Sequence, residues 1–120
     1  MRLSSAAVFL LVLLPCLAWA RDAKEDQRIE QLIQAVESLK GATFIRNGTE
    51  YTASEAGQHL RLKLRGAGAR VKTAEDFIEG CASRSSLSGA AYKIRFAGGT
   101  LTETGPFFRK KLREFQEARK

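Results

Sequence analysis

Metal chemistry is poorly provided for in this sequence, which holds one histidine, His59, and two cysteines, Cys16 and Cys81. A structural zinc shell takes four ligands, usually cysteine and histidine, so no metal is expected. A phosphate-cradling G-x-x-x-x-G-K-[ST] loop is missing; Gly66 and Gly68 sit in a short connector instead, and no cofactor is expected. No G-x-S-x-G elbow presents a serine nucleophile, and no residue is assigned a catalytic role. Internal repeats and an inter-domain linker are also missing. Beyond residue 20 no apolar run is long enough to span a bilayer. These absences turn attention away from metalloenzymes, nucleotide enzymes and membrane channels.

What is present begins with a targeting signature. Arg2 supplies a positive start, Ala6 to Leu14 is a short apolar run, and Ala18-Trp19-Ala20 is the pattern signal peptidase cuts after. Leu13-Leu14-Pro15-Cys16 has the outline of a lipoprotein box, but the proline before the cysteine argues against lipidation. The expectation is a signal peptide over residues 1–20, cleaved after Ala20, and a periplasmic or secreted chain over 21–120. That length suits one domain with one modest core. Only Cys81 is left in it, so no internal disulfide is expected despite the oxidising compartment. Beside Phe77 and Ile78, Cys81 reads as a small buried hydrophobe.

The remaining pattern is α+β. Ile29, Leu32, Ile33, Val36 and Leu39 recur at helical spacing, with Asp22, Glu25 and Asp26 near the start and Gly41 past the end. Asn47-Gly48 is a two-residue hairpin turn that puts Phe44 opposite Tyr51 and Arg46 opposite Thr49. Thr52 and Glu55 form a capping box, and Ala53, Ala56, Leu60 and Leu64 make the apolar stripe of a second helix. Thr73 caps a third helix, with Phe77, Ile78 and Cys81 on its apolar face. Ser83 to Gly89 is a hydroxyl-rich loop. Tyr92, Ile94 and Phe96 alternate with Lys93 and Arg95; a turn at Gly98-Gly99 places Leu101 opposite Phe96. Pro106 opens a last helix with a Phe108, Leu112 and Phe115 stripe. The expected fold is a single small domain of about four helices and two short antiparallel β-hairpins, with the helices packed on one side of the strands.

Charge narrows the function classes. Residues 40–72 carry seven basic and two acidic side chains, and 91–120 carry eight and three, while 21–39 and 73–90 are each net acidic by two. Two basic patches on an exported chain suit an anionic envelope partner: a lipid headgroup, a surface polysaccharide or an acidic protein. Nucleic acid fits poorly outside the cytoplasm, and no nucleic-acid motif is present. Oligomeric state is not readable.

Four segments taken together carry a resemblance. They are Phe44-Ile45-Arg46-Asn47-Gly48 followed by Glu50-Tyr51; Ala56 with His59-Leu60 and Lys63; Thr73-Ala74-Glu75-Asp76-Phe77-Ile78; and Ser85-Ser86 with Ser88-Gly89, Tyr92, Ile94 and Phe96. In this order they resemble the YfeK-like family, small exported bacterial proteins grouped under a domain of unknown function. The resemblance covers Phe44 to Phe96. It implies an exported single domain and no particular reaction. Gly57 stands where the family implies alanine, at a cost to the helix of about 1 kcal/mol.

The candidate ligand-binding residues are Arg46, Glu50, His59, Lys63, Ser85 and Ser86. Arg46 offers a planar fork for a carboxylate or phosphate, Lys63 a point charge, and His59 a donor or acceptor near neutral pH. Glu50 would orient the cations, and the serines would add neutral hydrogen bonds. The competing expectation, and the weightier one on sequence alone, is that the same residues form a structural polar network tying the first hairpin to the second helix and the serine loop. The sequence expectation is therefore a non-catalytic binding or interaction module, or a regulator of another exported protein. The alternative is a small hydrolase using His59 with a serine or Cys81, which needs the nucleophile within hydrogen-bond reach of the imidazole.

Overall fold

The computed structural model of the chain describes residues 21–119, so the expected signal segment lies outside the described residues. Helix α1 spans Ala23–Glu37; its Asp22 cap accepts from the Lys24 amide. Ile29, Leu32, Ile33 and Val36 are buried along one stripe, as their spacing dictates. The helix stops at Glu37, and the chain then turns through Gly41 at φ +71°. A Cβ on Gly41 would lie 2.9 Å from that of Ala97.

Strands β1 (Thr43–Arg46) and β2 (Thr49–Tyr51) pair antiparallel, Phe44 with Tyr51 and Arg46 with Thr49. Asn47 and Gly48 both have positive φ, 50° and 79°, the backbone a type I′ turn requires. Helix α2 (Ala53–Ala67) follows at once. Thr52 and Glu55 exchange both hydrogen bonds of the capping box. Thr73 and Asp76 do the same for α3 (Ala74–Phe77), which widens into a π-helical turn over Ile78–Ala82. The Ser83 hydroxyl donates to the Ile78 carbonyl at the end of that turn, 2.6 Å away. Strands β3 (Lys93–Arg95) and β4 (Leu101–Glu103) precede helix α4 (Thr104–Glu117).

The two hairpins join through β1 and β3 into one antiparallel sheet of order β2-β1-β3-β4. One face of it, with Phe44, Tyr51 and Ile94, packs on the helices. The core between them gathers Leu32, Ile33, Phe77, Ile78 and Phe108. Cys81 is buried there as a free thiol, and desolvation pushes its pKa up. No helix among the described residues is long and apolar enough to cross a membrane.

The second hairpin corrects the expected register. Ala97-Gly98-Gly99 form a three-residue loop, closed by Phe96 N–H to Thr100 O at 2.9 Å and Gly99 N–H to Phe96 O at 2.8 Å. Gly99 takes φ +95°, the left-handed position such loops need. Leu101 therefore pairs with Arg95 rather than Phe96. A slip of one residue flips the side-chain face, and Leu101 is left 53% exposed on the outer side.

Candidate functional site

The site forms where the β1–β2 turn, α2 and the serine loop meet. Arg46, last residue of β1, points to the helical side of the sheet and reaches α2. Its Nη1 lies 2.6 Å from His59 Nε2 and 3.1 Å from Nδ1. Its Nη2 donates to the Tyr51 hydroxyl at 3.1 Å, and its guanidinium stands 5.2 Å from the Tyr51 ring centre. A guanidinium only donates, so the imidazole nitrogen facing it carries a lone pair. Burial first, then the charges of Arg46 and Lys63, hold His59 below its ordinary pKa and keep it neutral near pH 7.

Lys63 lies one helical turn beyond His59. It donates to the Tyr92 hydroxyl at 2.9 Å and the Arg84 carbonyl at 3.1 Å, with its Nζ 4.9 Å from the Tyr92 ring centre. The His59 and Tyr92 rings meet edge to face, 6.3 Å apart. On the turn side, Asn47 Nδ2 donates to Ser85 Oγ at 3.1 Å and Asn47 Oδ1 accepts from Ser88 Oγ at 2.6 Å. Ser85 Oγ also accepts from the Leu87 and Ser88 amides, so its acceptor capacity is spent inside the loop.

Arg46, His59, Lys63, Ser85 and Ser86 thus line one open cleft of about 260 Å³, together with Asn47, Leu87 and Tyr92. A smaller, partly open apolar chamber of about 40 Å³ shares Arg46, His59 and Tyr92 with this cleft and is lined further by Phe44, Tyr51, Ala56, Leu60, Ala82 and Phe108. Glu50, the sixth candidate, does not join them. It is the cross-strand partner of Ile45, one residue out of phase with Arg46, so it points to the outer face and pairs with Arg95 at 3.0 Å. It orients Arg95 instead of the cleft cations.

Three lining residues escaped the sequence reading as ligand candidates: Tyr51, Tyr92 and Asn47. The sequence reading set Tyr51 opposite Phe44 and Tyr92 on the Ile94 side of its strand, and both rings do lie on the helical side of the sheet. The available signal was the hydroxyl, which must find a polar partner at the rim of an apolar core. For the hydrolase alternative, among the described residues no serine or cysteine hydrogen-bonds His59: both ring nitrogens face Arg46, and Cys81 belongs to the core cluster. Among the described residues, no three histidine, cysteine or carboxylate side chains are placed to hold a metal ion.

Among the half-buried cations of the described residues, charge pairing sets this cleft apart. The other half-buried cations each meet a carboxylate: Arg21 with Asp26, Arg28 with Glu25, Arg61 with Glu30 and Glu37, Arg95 with Glu50, and Lys111 with Glu114. Among the described residues, Arg46 and Lys63 meet only a neutral ring, two hydroxyls and a carbonyl.

Comparison with known proteins agrees with the segments that carry the resemblance. The family described as being of unknown function, DUF5329, matches residues 23–116. The uncharacterized protein YfeK of Salmonella typhimurium is 46% identical over 88 residues, which make up 72% of each chain. No solved structure matches. With nearly all of its folded residues inside that match, the chain belongs to the YfeK-like family of unknown function, DUF5329.

Proposed function

We propose that this protein is an exported, non-catalytic binding module of the cell envelope, and that the Arg46–His59–Lys63 cleft receives an anionic group of its partner. The observation that carries the reading is the missing counter-charge. Two half-buried cations share one cleft and have no carboxylate within ion-pair distance among the described residues. Partly desolvated charge is costly unless it is paired, so an anion from outside is the natural complement. Ser86 and the rim of the serine loop add neutral hydrogen-bonding groups beside it. The partner would be an envelope protein, an anionic lipid or a polysaccharide, in the periplasm or medium.

Titration calorimetry of residues 21–120 with inorganic phosphate and acetate tests the cleft. Binding that disappears in both Arg46→Gln and Lys63→Gln, with folding retained, supports the reading; binding untouched by either change overturns it. Export is tested separately, by the intact mass of the protein recovered from periplasm or medium. A chain beginning at Arg21 is expected, and a lipid-bearing chain beginning at Cys16 would contradict it.

A further inference from the structure

The chamber beside the cleft calls for an explanation that packing does not supply. It is a partly open apolar pocket, and carbon surface left facing water forgoes the stabilisation that burial would give it. Its position is not random. Arg46, His59 and Tyr92 line both it and the cleft, so the same three side chains form the wall between a cationic vestibule and an apolar room. Resting on the anion-binding reading above, we infer that the ligand group is a carboxylate bearing a short aliphatic tip, with the carboxylate on Arg46 and Lys63 and the tip in the chamber.

Each part follows from a feature of the cleft or of the chamber beside it. The Arg46 guanidinium has five N–H donors, and its contacts to His59 and Tyr51 leave a planar fork partly free for a two-oxygen acceptor. Lys63 has three donors, of which Tyr92 and Arg84 take two. The apolar tip follows from the chamber walls, which are aromatic and aliphatic carbon around Phe44, Ala56, Leu60 and Phe108. Filling the chamber with carbon removes that apolar surface from water. Its size sets the length. About 40 Å³ exceeds what one water needs and falls far short of the roughly 150 Å³ that takes a benzene ring. Two or three carbons fit, roughly, and an aromatic or long acyl chain does not.

A homologous series reads this out on residues 21–120: inorganic phosphate, acetate, propionate, butyrate, valerate and hexanoate by titration calorimetry. Affinity should climb from acetate to butyrate, by up to roughly fourfold per methylene, and then level or fall. N-acetylalanine, run alongside, separates the two sources of such a group. Binding tighter than propionate assigns it to a peptide C-terminus, and weaker binding to a free acid. Ala56→Val fills the chamber and should flatten the climb while leaving acetate and phosphate binding in place. Should that variant not fold, Phe44→Leu enlarges the chamber and should move the optimum to longer acids. If phosphate and acetate bind but chain length has no effect, this inference is wrong and the anion reading stands. If no anion binds at all, the anion reading itself has failed.

Discussion

Helix α2 carries two cations two residues apart, Arg61 and Lys63, and they live in opposite electrostatic worlds. Two residues on a helix are about 200° apart, so they serve different neighbours. Arg61 faces α1, where it clasps both oxygens of Glu30 at 2.8 and 2.9 Å and reaches Glu37 at 3.0 Å. Lys63 faces the serine loop and Tyr92, and together with Arg46 it finds no carboxylate among the described residues. The Arg61 side is closed on itself; its hydrogen bonds hold Glu30 below and Arg61 above their ordinary pKa values. The Lys63 side keeps unspent charge at a cleft. The first arrangement is what holding two helices together requires, and the second is what an incoming anion requires.

Gly57 belongs to the closed side and explains itself there. A Cβ at this position would fall 2.4 Å from Glu37 Cγ and 2.5 Å from Glu37 Oε2. The missing side chain gives the Glu37 carboxylate a path across α2 toward Arg61. The cost of a helical glycine, about 1 kcal/mol, is thereby set against a closer α1–α2 contact.

Four changes would break or sharpen the contrast. Gly57→Leu should act most strongly, displacing the Glu37 side chain from Arg61 and crowding the α1–α2 seam at a cost of about 2 kcal/mol. Chemical denaturation measures it, and a loss below 0.5 kcal/mol (roughly the scatter of neutral surface changes) would mean the close approach is dispensable. On the open side, Arg46→Gln should weaken anion binding about tenfold, roughly 1.4 kcal/mol. Stability should hold or rise, as it does when a site's unfavourable charge is relieved. A marked drop in melting temperature with unchanged anion affinity would instead make the cluster a structural brace.

Arg61→Gln should do the reverse, costing about 1 kcal/mol at pH 7 and leaving anion affinity alone. Its pH dependence has a definite sign. Glu30 is depressed below 4.5 in the folded protein, so its contribution is present above that pH and vanishes as pH falls through the folded value. The stability gap between wild type and Arg61→Gln should therefore close in acid, and a gap independent of pH would remove the Glu30 pairing from the explanation. The smallest effect belongs to His59. Its folded pKa lies below the ordinary 6.5, so the unfolded chain takes up the proton first and stability declines as pH drops below 6.5. His59→Gln should lessen that slope in a series of melting curves from pH 7.5 to 5; an identical slope would show that another group titrates there.

The local features of this chain were legible because each is decided within a few residues. Asn47-Gly48 needs only its own positive φ values, the Thr52–Glu55 box spans three residues, and the α1 stripe repeats within two turns. The Phe44–Tyr51 and Arg46–Thr49 pairings followed from that turn. The Gly98-Gly99 pair was less decisive, because two adjacent glycines serve a two- or a three-residue loop equally well. What settled the longer loop is Gly99 in the left-handed region, and it moved Leu101 to the outer face. Glu50 was offered as orienting the cleft cations, yet the same Asn47-Gly48 register sets it opposite Ile45, on the other face of the ribbon from Arg46.

Length, periodicity and caps by themselves determined four helices, two hairpins and a cleft edge at Arg46, His59 and Lys63, since these depend on torsions and contacts close along the chain. The β1–β3 pairing that merges the hairpins, the Arg61 clasp on Glu30 and Glu37, and the chamber beside Arg46 were decided only by the tertiary structure. Each joins segments more than twenty residues apart, or depends on how well several such segments fill shared space. Closing such loops costs entropy that only the assembled core repays, so no short stretch of sequence could announce them.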